Sequence, residues 1–193
     1  MYGKTEAGLG LPVLVDSSGK LITKPGGGLY ADAAIKGRLF HAANQTAVNT
    51  STTLNTTFVG LGLCNPTGSG KLIIVHEFSY ALEQAAAGAA VLALATTTDK
   101  GFAAAIAAKC CRNGYATSIA YVDDGATIDA PVIVKIIGAI GESATSTWPN
   151  VPTIVKLEGQ IVLAPGRALV TDTTVAMGAT AIQFSYLWEE IDE

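Results

Sequence analysis

Gly68-Ser69-Gly70-Lys71 invites a chemical reading first, because a glycine-rich turn running into lysine can cradle phosphate. Such a loop also needs a glycine five residues before the glycine of the Gly-Lys pair, and a hydroxyl after the lysine. Asn65 and Leu72 stand at those positions. The following Leu72-Ile73-Ile74-Val75 reads as strand, whereas an anion site needs the N-terminus of a helix there. The spacing therefore predicts a hairpin turn.

The histidines are His41 and His76. A hydrolytic triad would set one of them beside a Ser or Cys and a carboxylate, and no GxSxG elbow is present. His76 falls on the more apolar face of an expected strand, where a hydrogen-bonded core histidine is the ordinary explanation; His41 follows Phe40 with no local partner. Neither HExxH nor CxxC accompanies them, so no zinc ligand set is indicated. Cys64, Cys110 and Cys111 are odd in number and two are adjacent, which gives no disulfide framework and suggests small buried hydrophobes.

Two carboxylate pairs remain. Asp123-Asp124-Gly125 reads as a turn, and a calcium site there would need further oxygen ligands. Glu189-Glu190, near the charged end Ile191-Asp192-Glu193, reads as a solvated terminus, because glutamate is rarely buried unpaired. Asn44, Asn49 and Asn55 begin glycosylation sequons but read as Asn/Thr-rich strand and loop. Trp188 continues an apolar stripe, and Trp148 sits in the loop-like Ser146-Thr147-Trp148-Pro149-Asn150, where it could meet a neighbouring subunit or stack on a sugar. No catalytic, cofactor-binding or metal-binding residue is assigned, and the chain reads as non-enzymatic.

The elements that would position these residues are strands. Lys71–Leu82 alternates Leu72, Ile74, His76, Phe78 and Tyr80 against Ile73, Val75, Glu77 and Ser79. In the last element Ile182, Phe184, Tyr186 and Trp188 share one face, the pattern of a half-buried strand. Strands are also expected over Leu11–Val15, Thr52–Leu63, Ala89–Thr97, Ser118–Val122, Pro131–Ile140, Val151–Leu163 and Ala168–Ala176. Phe102–Cys111 is open between a short helix and an irregular loop. Pro25-Gly26-Gly27-Gly28 cannot lie inside an element, which makes residues 1–36 a Gly-rich N-terminal arm and 37–193 one domain. Roughly eight strands without βα alternation predict an all-β antiparallel sandwich, with a jelly roll the closest match by strand number.

Composition narrows the function classes. The 193 residues are 49% hydrophobic and 15% charged, so the chain should fold, with small-residue surface hidden between subunits. Net charge is −4 and the cations are scattered, which argues against direct nucleic-acid binding. Met1–Gly10 lacks the basic start and apolar run of a signal peptide, and Ala85–Ala95 is too short and weak for a membrane span, so synthesis in the cytoplasm is expected.

Several stretches resemble small virion proteins of tailed bacteriophages and prophages. They are Gly37-Arg38-Leu39-Phe40-His41-Ala42-Ala43-Asn44-Gln45, Gly62-Leu63-Cys64-Asn65-Pro66-Thr67-Gly68-Ser69-Gly70-Lys71, Tyr121-Val122-Asp123-Asp124-Gly125-Ala126-Thr127-Ile128, Leu163-Ala164-Pro165-Gly166-Arg167-Ala168-Leu169 and Tyr186-Leu187-Trp188-Glu189-Glu190. The likeness covers about residues 37–190. It implies a β-sandwich that decorates or cements the capsid surface of the virion, often as a trimer, with the major capsid protein and copies of itself as partners. A receptor- or glycan-binding module of a phage tail or surface spike is the alternative. The resemblance carries over no functional residue.

Overall fold

A computed structural model describes residues 2–4, 10–12, 28–46, 48–49, 62–82, 90–126, 128–140, 152–173 and 181–193. Expectations placed on residues 13–15, 52–61, 85–89, 151 and 174–176, and on Asn55 and Trp148, lie outside these residues. So does most of the expected arm.

The chain resolves into two compact units, Met1–Asp32 and Ala33–Glu193. In the first, β1 (Tyr2–Lys4) and β2 (Gly10–Pro12) pair antiparallel. Helix α1 (Ala31–Ile35) follows and ends at the Gly37 amide, which donates to the Ala34 carbonyl at 3.0 Å.

The second unit is an antiparallel sandwich. Its strands are β3 (Leu39–Ala43), β4 (Val48–Asn49), β5 (Gly62–Asn65), β6 (Lys71–Leu82), β7 (Ala90–Thr98), β8 (Lys109–Cys110), β9 (Tyr121–Asp123), β10 (Val132–Ile140), β11 (Thr153–Leu163), β12 (Arg167–Thr173) and β13 (Ala181–Asp192). One sheet has the order β11-β6-β13-β3-β8, with β4 also on β13. The other has the order β10-β7-β12-β5-β9.

That order defines the fold more closely than strand number could. The strands β3, β5, β6, β7, β10, β11, β12 and β13 can be counted one to eight along the chain. The sheets then run six-three-eight-one and five-four-seven-two. This is the two-Greek-key winding of a jelly roll. The strands β8 and β9 belong to an insertion after β7, and each lengthens one of the two sheets at the same side of the sandwich.

The core is aromatic. Trp188, Tyr186, Phe78 and Phe184 are fully buried between the sheets. Phe78 lies 5.1 Å from the Tyr186 ring and 5.8 Å from that of Phe184, and Phe40 lies 6.2 Å from Trp188. Burying each such side chain contributes about 1.5–3 kcal/mol. The stripe Ile182-Phe184-Tyr186-Trp188 faces inward as its alternation predicts.

Strand β6 departs from its strict alternation. Its inward residues are Ile73, Val75, Phe78 and Tyr80, because His76 is an extra residue: Leu187 pairs with Glu77 and Trp188 with Val75. A bulge of this kind shifts the phase of every later side chain. Residues 102–108 are irregular, and only Lys109–Cys110 of the stretch left open between helix and loop is extended.

Candidate functional site

The phosphate-loop look-alike joins β5 in one sheet to β6 in the other, so it is an inter-sheet connection, not the hairpin expected. The buried Asn65 organises it. Its Nδ2 donates to the carbonyls of Lys71 at 2.7 Å and Leu163 at 2.8 Å, and its Oδ1 accepts from Ser69 Oγ at 2.6 Å. Gly68 and Gly70 take the left-handed φ values of 75° and 66° that this turn demands. The Thr67 amide and hydroxyl both donate to the Asp99 carboxylate, the amide at 2.8 Å, so this loop already holds an anion of its own chain. Lys71 Nζ reaches Asp192 at 2.9 Å. The Thr67 bonds, side chain first and backbone second, hold the Asp99 carboxyl below the usual carboxylate range.

The histidines are not brought together with a nucleophile. His41 is exposed on β3, opposite Lys109 of β8. His76 lies at the bulge on the outer side of its sheet, not on the core face, with Nε2 3.5 Å from Glu189 Oε2. Glu189 also meets Arg38 at 3.0 Å.

Glu190 corrects the reading of a solvated terminus: it is 4% exposed. Its Oε1 accepts from Ser118 Oγ at 2.5 Å and from Trp188 Nε1 at 3.1 Å, and the Ile119 amide donates to both oxygens at 3.2 and 3.3 Å. Neutral donors from the insertion and from the core tryptophan converge on one carboxylate. A buried charge is tolerated when its oxygens are satisfied in this way.

Asp123 does similar work one layer over. Its Oδ1 accepts from the Gly125 amide at 2.8 Å, which closes the expected turn, and its Oδ2 accepts from the Ala103 amide at 2.9 Å. Asn44, the first residue of a sequon, is buried and grips β13 instead: the Phe184 amide donates to its Oδ1 at 2.7 Å, and its Nδ2 donates to the Ile182 carbonyl at 3.3 Å. Cys64 and Cys110 are buried as expected, whereas Cys111 is exposed. Burial, with a smaller contribution from Asp99, pushes the Cys64 thiol up to about 12. Among the described residues no group of three or more His, Cys, Asp or Glu side chains is placed to hold a metal ion.

Strands β10 and β11 differ from the rest of the sandwich. Each ends its sheet. Val132, Val134, Ile136, Ile154 and Val162 along them are between 48% and 63% exposed. Sequence reasoning missed this surface, because the β-branched run over 131–140 reads equally well as a strand buried on both faces.

Comparison with known proteins adds little. No family model and no curated protein matches. Among solved structures, one titled "Structure of infectious bursal disease virus Gx strain" is similar at 13% identity and a TM-score of 0.18, over 95% of this chain and 46% of that one. Likeness at that level supports no inference, and the chain spans less than half of that structure. Among the described residues no helix is long and apolar enough to cross a membrane.

Proposed function

We propose that this chain is a non-enzymatic virion structural protein that decorates or cements the capsid shell of a tailed phage as a homo-oligomer, a trimer by the resemblance, bound to the major capsid protein. The observation that carries the reading is the jelly-roll strand order, an architecture that recurs in capsid and lectin domains. The resemblance of residues 37–190 to phage virion proteins supports the capsid side of that pair. A shell under internal pressure fails at contacts between capsomers, and a protein that bridges them adds buried area there. Many symmetric copies multiply a modest gain at each site. With 15% charged residues, attachment should depend on apolar burial more than on salt bridges.

Co-sedimentation of the full chain with empty shells of the cognate capsid protein tests this. Saturable binding at a fixed ratio of copies to capsomers, retained in high salt, is the expected result. Binding to a glycan panel without binding to shells would move the protein to the receptor-binding class. Removing Met1–Gly28 should weaken attachment while the sandwich stays folded. Unchanged affinity would remove the arm from the contact.

A further inference from the structure

Between β8 and β9 the insertion carries Arg112-Asn113-Gly114-Tyr115, and all four residues are exposed. They form one turn, in which the Tyr115 amide donates to the Arg112 carbonyl at 3.0 Å. Gly114, in the third position, takes the left-handed φ of 72° that such a turn asks of glycine. The turn is anchored at its two ends. Arg112 Nη1 donates to the Ile35 carbonyl at 2.8 Å, and its guanidinium lies 3.9 Å from the centre of the Tyr115 ring. That ring rests on Gly37, where a Cβ would stand 2.0 Å from Tyr115 Cδ1.

The middle of the turn is unencumbered. Among the described residues, neither the Asn113 side chain nor the Gly114 amide makes a hydrogen bond, and a Cβ built at Gly114 would meet nothing within 4 Å. A glycine after an asparagine leaves its own nitrogen open to the preceding side-chain amide, because it has no Cβ to crowd the approach and rotates with little restriction.

The other asparagines are protected, each for its own reason. Asn65 is fully buried and precedes Pro66, whose nitrogen carries no hydrogen and cannot become the nucleophile. Asn44 is 4% exposed, and both ends of its amide are bonded to β13. Asn49, Asn55 and Asn150 precede Thr50, Thr56 and Val151, whose branched side chains crowd the nitrogen that would attack. The pair Asp124-Gly125 has its nitrogen occupied, since the Gly125 amide donates to Asp123 Oδ1 at 2.8 Å.

We infer that Asn113 is a site of spontaneous modification, at which the side-chain amide is converted through a cyclic imide to aspartate and isoaspartate. Hydroxide takes the Gly114 amide proton, and the nitrogen bonds to Asn113 Cγ. The Cγ–Nδ2 bond breaks, and the nitrogen leaves as ammonia with a proton from water, which restores the hydroxide. Water then opens the imide. Breaking its bond from Cγ to nitrogen returns the ordinary chain with aspartate, whereas breaking the bond from the main-chain carbonyl carbon leaves the chain running through Cγ as isoaspartate. The sum is amide and water to carboxylate and ammonium, with nothing oxidised or reduced. Either product sets a negative charge beside Arg112. Isoaspartate also adds a backbone atom to the turn, which separates the Tyr115 amide from the Arg112 carbonyl. The inference is independent of the capsid reading and of the proposed oligomer.

The test is to hold the full, folded chain in mildly alkaline buffer made with heavy-oxygen water, then digest it in ordinary water and map the peptides by mass spectrometry. The label separates conversion in the folded chain from conversion during digestion. A heavy-oxygen carboxylate should appear at residue 113 and at no other asparagine, and isoaspartyl methyltransferase should label the same peptide. Gly114→Ala puts a Cβ beside the attacking nitrogen and should slow the conversion about tenfold. Asn113→Ser should abolish the acidic species that accumulates in ion-exchange chromatography of the wild type, with an unchanged far-UV circular dichroism spectrum. Asn113 still intact once a urea-unfolded sample has converted fully, faster conversion at another asparagine, or an acidic species that survives Asn113→Ser would overturn the inference.

Discussion

At one edge of the sandwich, the insertion after β7 adds β8 to one sheet and β9 to the other. Its backbone is then tied down from several directions: by Glu190 through Ser118 and Ile119, by Asp123 through Ala103, and by the Ile106 and Cys111 amides on the Val122 and Leu39 carbonyls at 2.9 Å. At the other edge, β10 and β11 end their sheets with half-exposed Val and Ile and with bulges in both ladders. The first edge is closed by polar groups within the chain. The second is left apolar. The difference is one of kind: the edge that buries a glutamate exposes only the amphipathic Tyr115 and Tyr121 among its large hydrophobics, whereas the other leaves five branched aliphatic side chains uncovered.

The contrast can be broken from the closed side, with the largest effect expected at its centre. Trp188→Ala removes a fully buried indole and one donor to Glu190, and should destabilise the sandwich by about 3–5 kcal/mol in urea unfolding. Glu190→Ala orphans Ser118 Oγ, the Ile119 amide and Trp188 Nε1, and should cost about 1–3 kcal/mol by the same measurement, with earlier hydrogen exchange at Ile119 than elsewhere in the core. Asp123→Ala removes two backbone bonds beside the same insertion and should cost about 1 kcal/mol.

Smaller effects come from the titrating groups, and they sharpen the picture of what is sealed. The buried Cys64 thiol should resist alkylation at mildly alkaline pH while the exposed Cys111 reacts, although burial first and Cys110 second also raise Cys111. Peptide mapping after iodoacetamide treatment reads this directly. Because the folded Cys64 value of about 12 exceeds the unfolded one, its contribution is complete below about pH 8.5 and is lost as pH rises toward about 12. Asp99 has the opposite sign. Its folded value is depressed, so its small contribution is present above about pH 4 and disappears as pH falls through the folded value. Asp99→Asn should flatten the acid limb of the stability curve slightly, and an unaltered limb would show that the Thr67 bonds contribute nothing.

The legibility of these regions in the sequence follows the range of the interactions. The inward stripe of β13 is local, period-two information, and the structure places Ile182, Phe184, Tyr186 and Trp188 as read. The strand β6 has the expected bounds of Lys71–Leu82, yet its phase is misread beyond His76, because a bulge is decided by both neighbouring strands. Glu190 is hidden for a related reason: Ser118 is 72 residues away in the chain, and a Glu-Glu pair beside a charged terminus looks solvated until that partner is found. The strand order, and with it the proximity of β10 to β11, depends on which sheet each strand enters, and local pattern carries no record of that. Conversely, the lack of a complete phosphate-loop or triad pattern is readable from spacing alone, and the Asn65–Lys71 connection shows what that loop does instead.

The proposed role of covering a shell is most directly tested by counting copies of the chain in purified particles of the phage that the proposal implies, by quantitative mass spectrometry. Hundreds of copies per particle are predicted, in a fixed ratio to the major capsid protein, as expected for avid symmetric coverage. A handful of copies, or none, would contradict it.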